Sequence, residues 1–311
     1  MKILAISGGT KDGNNDAMAR EALMGAKEQG AEVEFIRLHD LNLKPCTGCI
    51  VCINDMMRGG LGECVIKDDM DWLGEKIFSA DGIIFVMPIF EKGSPAIMHT
   101  VQDRIFGPTF DPGPCTIATK IAKESGGKGP DPRRLVRKVV SYISIGGSDW
   151  TTRVSADMSL TAMARAWKII DNAVFQWSKS IIMNDDSVAR CRKIGANIAK
   201  AAVLGPDEAD YLGEPGICPE CHSRNFYIND DPKKATCVVC GLIGELALAD
   251  GKMKFTVPED QFEHSHFRMP GKFEHMADIG RIETELNENK TKPEFKARKQ
   301  KYKDFITASK P

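Results

Sequence analysis

Eight of the ten cysteines fall into two groups of four whose spacings suit different metals. In the first group, three cysteines at two-residue gaps precede a fourth by eleven residues: Cys46, Cys49, Cys52 and Cys64. Three closely spaced cysteines are typical of loops that hold an iron–sulfur cluster. The second group is two C-x-x-C pairs, the pattern of a zinc ribbon: Cys218, Cys221, Cys237 and Cys240. The spacings therefore predict redox chemistry in the first half of the chain and a structural metal in the second.

Each metal assignment has an alternative. The cysteines of residues 46–64 also fit structural or redox-active thiols without a cluster. The second group would also hold a single iron, as in rubredoxin, although zinc is favoured. His264 and His266 have a spacing able to ligate a metal, but no third ligand is nearby in sequence, so we interpret them as a solvated loop.

Composition narrows the class of protein. The 311 residues suit about two domains, and 42% of them are apolar, enough for a substantial core. The 42 basic and 43 acidic residues nearly balance, which argues against nucleic-acid or anionic-membrane binding. No secretory signal pattern or membrane-length apolar run is present, so the cysteines predict a reducing, cytoplasmic location.

Strand-like and helix-like stretches alternate up to residue 204. Such alternation predicts a doubly wound parallel α/β sheet that binds its ligand at the carboxyl ends of the strands. The predicted strands are 2–7, 32–38, 82–87 and 139–145, and the predicted helices are 16–29, 68–79, 96–106, 158–170 and 187–203. We divide the chain into residues 1–204, a metal module at 205–260 with a hairpin turn at Asp250-Gly251, and a partly helical tail at 261–311.

A glycine-rich loop follows the first predicted strand and opens onto a helix. Its polar and flexible residues suit a phosphate cradle: Ser7, Gly9, Thr10, Lys11, Asn14 and Asn15. The monophosphate of FMN would fit such a cradle. The alternative is an ordinary strand-to-helix turn with a capping residue.

The loops after the next two predicted strands resemble those of the flavodoxin-like NAD(P)H-dependent FMN reductases. The residues that carry the likeness are Pro88-Ile89-Phe90 with Gly93-Ser94, the downstream Asp103-Arg104, and Gly146-Gly147. The resemblance implies a flavodoxin-like fold over residues 1–200, with Pro88, Ile89 and Phe90 lining the isoalloxazine ring. It also implies that Gly93 and Ser94 close one edge of the ring and that Gly146 and Gly147 approach the other. Relatives usually carry G-S-P-R in the phosphate loop, so Thr10 or Lys11 would substitute here.

The first cysteine group resembles the iron–sulfur flavoproteins, in which a compact motif and a trailing C-x-x-x-D-D-M recur. Here that motif runs from Cys64 to Met70, after a longer last gap than is usual in the family. The resemblance implies a [4Fe–4S] cluster beside the FMN.

Together these features predict an FMN-dependent oxidoreductase that passes electrons between NAD(P)H or ferredoxin and an unidentified acceptor. No residue stands out as a general acid or base. One alternative is a non-enzymatic electron-transfer flavoprotein that acts with a protein partner. Another is a structural zinc protein with a vestigial flavin fold. The resemblance implies a homo-oligomer, either a dimer or a tetramer. Residues 107–137 form an insertion that we expect near the flavin face.

Overall fold

A five-stranded parallel sheet forms the centre of the chain in the computed structural model, which describes residues 1–231 and 233–310. Its strand order is β2-β1-β3-β4-β5, so the direction of winding reverses between β1 and β3. The strands are β1 Lys2–Ser7, β2 Glu32–Arg37, β3 Gly82–Pro88, β4 Val139–Ile145 and β5 Lys168–Phe175. In such sheets a ligand binds beyond the carboxyl ends of the strands at the point of reversal. The predicted flavodoxin-like fold is confirmed.

Helices cover both faces of the sheet, which explains why β3 and β4 are apolar and buried along almost their whole length. The helices of this part are α1 Asn14–Glu28, α2 Val51–Met56, α3 Met70–Ser79, α4 Ala96–Ile105, α5 Pro112–Ser125, α6 Val154–Arg165 and α7 Asp185–Leu204. Helices α1 and α7 pack on one face, and α3, α4 and α6 pack on the other. Two separate apolar cores therefore fix the strand ends in place.

A small antiparallel sheet and two helices complete the chain. They are β6 Phe226–Ile228, β7 Lys234–Cys237, β8 Ile243–Ala249, β9 Lys252–Thr256, α8 Met269–Thr291 and α9 Pro293–Phe305. The predicted turn at Asp250-Gly251 is confirmed, since both residues have positive φ, as a two-residue hairpin requires. Four short 3₁₀ turns occupy Leu38–Asp40, Pro132–Leu135, Ile181–Met183 and Glu259–His264. Among the described residues, no helix has both the length and the apolar character that crossing a membrane requires.

The structure differs from the sequence-based expectations in two places. The helix predicted over 158–170 ends at Arg165, because Ala166 turns into the left-handed region and residues 168–175 then form β5. The insertion at 107–137 contains α5, whose prolines lie in its first turn, where a helix tolerates them.

That insertion also lies away from the predicted flavin face. Residues Pro112 and Thr116 share a cavity with Arg137 and Lys168, which stand at the amino ends of β4 and β5. The carboxyl ends of these parallel strands are at the opposite edge of the sheet.

Candidate functional site

The loop after β1 is shaped by its own side chains. The hydroxyl of Ser7 donates to Oδ1 of Asp16 at 2.6 Å and accepts from the amide of Gly9 at 3.1 Å. The other carboxylate oxygen of Asp16 accepts from the amide of Asp12 at 2.9 Å. Ser7 and the buried Asp16 thus stabilise the turn through hydrogen bonds within the loop, and the proton of the Ser7 hydroxyl is used in the bond to Asp16.

Several donors of the loop remain free. Within the described residues, the backbone amides of Thr10, Lys11, Asn14 and Asn15 have no acceptor. They surround the amino end of α1, where unpaired amides and the helix dipole favour an anion. A Cβ atom on Gly9 would lie 2.5 Å from Cβ of Asn15, so the loop packs closely against the start of α1 and has no room for a side chain at position 9. These residues fit a phosphate.

The loop after β3 is a rigid two-residue hairpin. Phe90 and Gly93 exchange backbone hydrogen bonds of 3.0 and 2.9 Å, and both Glu91 and Lys92 adopt positive φ between them. Non-glycine residues pay a conformational cost for that backbone, and such costs concentrate at functional sites. The ring of Phe90 is 61% exposed, which leaves it available to contact a bound group.

The loops of neighbouring strands meet at the same edge. The amide of Gly8 donates to Val86 at 3.0 Å, and that of Ile89 donates to Ile145 at 3.0 Å. The structure therefore brings together all three predicted flavin loops, including Gly146 and Gly147 after β4. The segment after β5 also contacts these loops, because the side-chain amide of Asn14 donates from Nδ2 to the carbonyl of Lys179 at 2.7 Å.

A polar cluster lies where the hairpin enters α4. Ser94 is buried, and its amide donates to Oδ2 of Asp157 at 3.1 Å. Its hydroxyl lies 3.2 Å from Nε2 of His99, and that nitrogen is 3.7 Å from the same Asp157 oxygen. Arg153 also contacts this carboxylate, at 3.3 Å. The cluster fastens the hairpin to the first turn of α6.

The predicted ribbon cysteines form a metal-binding set. The four ligand sulfurs lie within 4.8 Å of one another and all four residues are buried. The Sγ atoms of Cys218 and Cys240 are 3.5 Å apart, and those of Cys221 and Cys237 are 3.4 Å apart. Four thiolates at this spacing suit a tetrahedral cation such as zinc or iron.

The metal module packs against the flavin-loop side of the main domain. Its core includes Ala156 of α6 beside the four cysteines, with Met163 packed against it. The side-chain amide of Asn225 donates to the carbonyl of Thr152 at 2.9 Å. The ribbon thus contacts the segment that links Gly147 to α6.

The first cysteine group is more open. Cys46 and Cys49 are exposed, and Cys46, Cys52 and Cys64 line a cavity of about 470 Å³. In the described chain, no three of these sulfurs lie within 4.8 Å of one another, and a cluster of four irons is larger than a single ion. A hydrogen bond from the amide of Val51, with a weaker one from Thr47, lowers the pKa of Cys49, whereas burial raises that of Cys52.

This group lies at the far end of α4 from the flavin loops. The cavity that it lines also contains Arg104 and Ile105, the last residues of α4, whereas Ser94 precedes its first turn. Ten residues of helix span about 15 Å. The cavity at the cysteine group therefore reaches the end of α4 that is opposite the hairpin.

Asp16, His99 and Asp157 were missed by reasoning from sequence. Asp16 had one signal, because an acidic residue in the first turn after a glycine-rich loop often bonds back to that loop. His99 and Asp157 are 58 residues apart in number and meet only through the packing of α4 on α6, for which the sequence carries no local signal.

Comparison with known proteins extends this description. The sequence profile of the NADPH-dependent FMN reductases matches residues 1–180. A solved structure described as a flavone reductase is 48% identical, covers 100% of both chains and superposes with a TM-score of 0.89. Flavone synthase cfoJ of Aspergillus candidus is 26% identical over 293 residues, 90% of this chain and 88% of its own. An iron–sulfur flavoprotein of Methanocaldococcus jannaschii is 40% identical over 105 residues, 33% of this chain and 51% of that protein.

Proposed function

The chain belongs to the NADPH-dependent FMN reductase family, and from this premise we propose that it is an NAD(P)H-dependent flavone reductase. Family membership makes it an FMN-dependent oxidoreductase. The proposal adds the hydride donor, a nicotinamide, and the acceptor, a flavone.

One observation carries the choice of acceptor: the 48% identity to a flavone reductase over the full length of both chains. That likeness includes the ribbon and the tail, whereas the iron–sulfur flavoprotein relative matches 33% of this chain. The likeness to a flavone synthase adds support, because a synthase and a reductase describe opposite directions of one redox change.

The chemistry of a flavone suits this site. Its central ring carries a carbon–carbon double bond conjugated to a ketone, and adding a hydride and a proton saturates that bond. FMN bound in these loops would supply the chemistry for hydride transfer between a nicotinamide and the flavone. The chain's own part is to hold the phosphate with the backbone amides of Thr10, Lys11, Asn14 and Asn15 and to place the hairpin 88–93 against the ring.

We assign zinc to the ribbon and a [4Fe–4S] cluster to the first cysteine group. The closely spaced, buried ribbon sulfurs support a fold-stabilising ion. Two features support a larger, electron-transferring group at the first cysteine group. One is the open cavity lined by Cys46, Cys52 and Cys64, and the other is the hydrogen bond from the backbone amide of Val51 to the sulfur of Cys49. Iron, zinc and acid-labile sulfide measured on anaerobically purified protein test both assignments. One zinc, four irons and four sulfides per chain are expected, and a single iron without sulfide contradicts both.

The activity is tested by anaerobic incubation of FMN-loaded protein with NAD(P)H and a flavone. We expect flavin bleaching by NAD(P)H, its reversal by the flavone, and a product heavier by two hydrogen atoms. If NAD(P)H bleaches the bound flavin but no flavone reoxidises it, the proposal that the acceptor is a flavone is refuted. Protein that only reduced ferredoxin bleaches refutes the donor.

The exposed Cys46 and Cys49 favour a second candidate, an electron-transfer flavoprotein that acts with a protein partner. In that case reduced ferredoxin exchanges electrons with the protein, and no small organic acceptor supports turnover.

A further inference from the structure

The imidazole of His99 is held on one side only. An ionised carboxylate can only accept hydrogen bonds, and Oδ2 of Asp157 lies 3.5 Å from the hydroxyl of Ser94. That hydroxyl therefore donates to Asp157 and accepts from His99, 3.2 Å away. This order of donors places a proton on Nε2 of His99.

The other ring nitrogen is free. Nδ1 of His99 has no hydrogen-bond partner among residues 1–231 and 233–310, and the side chain is 44% exposed, whereas Ser94 is buried. A ring anchored at Nε2 and open at Nδ1 has the arrangement of an acid–base histidine oriented by a second group. His99 lies in the first turn of α4, directly after the hairpin proposed to line the flavin.

We propose that His99 is the proton donor for reduction of the acceptor, with Ser94 and Asp157 as its positioning residues. This inference rests on the proposed flavone reductase activity. In the step, a hydride adds to the β-carbon of the conjugated ketone, and the electron pair of the double bond moves toward the α-carbon and the carbonyl. The Nδ1–H bond of the imidazolium breaks, a C–H bond forms at the α-carbon, and the electron pair of the broken bond stays on the ring.

The reaction balances as NAD(P)H, one proton and a flavone giving NAD(P)⁺ and the saturated ketone, with solvent returning the proton to His99. The charges around the ring support this role. The carboxylate of Asp157 lies 3.7 Å from Nε2 of His99 and is the acidic group of this cluster. Arg153, 58% exposed, contacts the same carboxylate from the solvent side.

The test is a stopped-flow study of His99→Gln, which keeps a hydrogen-bond donor but cannot ionise. We expect FMN affinity, measured by fluorescence, and flavin reduction by NAD(P)H to be unchanged within about twofold. Reoxidation by a flavone should slow about 100-fold or more, the usual contribution of a general acid. Reoxidation by ferricyanide, which takes single electrons and no proton, should be unchanged. Asp157→Asn should show a smaller loss in the flavone step alone, and His275→Gln on α8 is the matched control.

Wild-type reoxidation rates in His99→Gln with a flavone would overturn the role of His99 and leave the proposed activity standing. Equal slowing with ferricyanide and flavone would also overturn it, because His99 would then act on the flavin site as a whole. Wild-type protein that no flavone reoxidises would overturn the proposed activity and the proton donor together.

Discussion

At the scale of single residues, the first cysteine group depends on one buried ion pair. Arg104 donates to both carboxylate oxygens of Asp68, at 2.9 and 3.1 Å, and to the carbonyl of Lys44 at 2.7 Å. The side chains of Asp68 and Arg104 are 0% and 2% exposed. Burial alone would raise the pKa of Asp68, but the hydrogen bonds from Arg104 and from the amides of Lys44 and Met70 outweigh it and lower that pKa. The pair ties both ends of the cysteine segment to α4.

We therefore expect Asp68→Asn to lower the free energy of unfolding by about 3–5 kcal/mol, because it leaves the guanidinium of Arg104 buried without its counter-charge. The depressed pKa means that this stabilisation is present above the unfolded carboxyl pKa, about 3.9, and is lost as pH falls through the folded value. The difference between wild type and variant in urea unfolding should thus shrink below about pH 4. Asp278→Asn, which removes an exposed pair with Arg281, is the control and should cost less than about 1 kcal/mol. Equal effects of the two substitutions would contradict the role of burial.

The close approach at Gly9 gives a second prediction. A methyl group there would meet Cβ of Asn15 at 2.5 Å, so Gly9→Ala must push α1 away from the loop. Overpacking of this kind costs about 1–3 kcal/mol, which we expect as an FMN affinity weaker by about tenfold or more in a fluorescence titration. Gly280→Ala on α8, where no atom lies within 4 Å of the new methyl, is the control and should bind FMN normally. Unchanged affinity in Gly9→Ala would argue against phosphate binding in this loop.

The positions of the three loops at the carboxyl edge of the sheet could be predicted from sequence, whereas the contacts within and between them could not. Residues of the three loops were found because each follows an apolar run, and strand ends are readable from such runs. Ser7 is predicted as a phosphate ligand, and that role stays a prediction; the sequence did not show that its hydroxyl bonds to Asp16 and Gly9 within the loop. The cluster of Ser94, His99 and Asp157 was not predictable, since it depends on how two helices pack.

At the scale of elements, the four-cysteine ribbon packs against α6 and against the segment that leads into α6 from the predicted flavin loops. The ribbon core contacts α6, and Asn225 holds the segment before it through Thr152. Structural zinc sites contribute folding free energy directly, so a ribbon without metal should unfold. We therefore expect chelation of the ribbon metal, or Cys237→Ser, to weaken FMN binding without abolishing it. Flavin fluorescence and zinc release, followed together, should change in parallel.

A second variant separates the connection from the folding of the ribbon. Asn225→Ala removes the bond to Thr152 but leaves the four cysteines intact. It should keep its metal and bind FMN more weakly than wild type by about 1 kcal/mol, the usual contribution of one hydrogen bond. Full FMN affinity after metal removal would show that the two modules are independent.

The errors of sequence reasoning at this scale have physical causes. The periodicity of α6 runs without a breaker into Trp167, Ile169 and Ile170, which are buried in a strand just as they would be in a helix. The left-handed turn at Ala166, a residue with high helix propensity, carries no compositional signal. Helix α5 was obscured by Pro112 and Pro114, although Asp111 caps it by accepting from the amide of Gly113.

At the scale of the whole molecule, electron transfer depends on how the two predicted redox sites, the FMN site and the first cysteine group, are arranged. The cavity at the first cysteine group reaches Arg104 and Ile105 at the end of α4, whereas the hairpin precedes the first turn of that helix. The resemblance to iron–sulfur flavoproteins predicts a cluster beside the FMN, and this placement stays a prediction. The predicted homo-oligomer makes a second copy of the chain the expected partner.

We expect the tail to offer the surface for such a partner. Helix α8 is anchored at its start, where Lys272 bonds to Asp111 at 2.7 Å, but α9 has no buried residue. Three large apolar side chains near the end of the chain are exposed: Tyr302 (68%), Phe305 (84%) and Ile306 (73%). Their exposure does not stabilise a single chain, and exposed apolar patches often mark interaction surfaces. We expect that ending the chain at Thr291 leaves the thermal unfolding temperature of the ribbon and sheet unchanged, because none of the described residues of α9 is buried. The same truncation should reduce the mass measured by light scattering from an oligomer to a single chain. A triple change of Tyr302, Phe305 and Ile306 to Ser should do the same without shortening the helix. A wild-type protein that is already a single chain, or variants that keep the wild-type mass, would contradict this role of the tail.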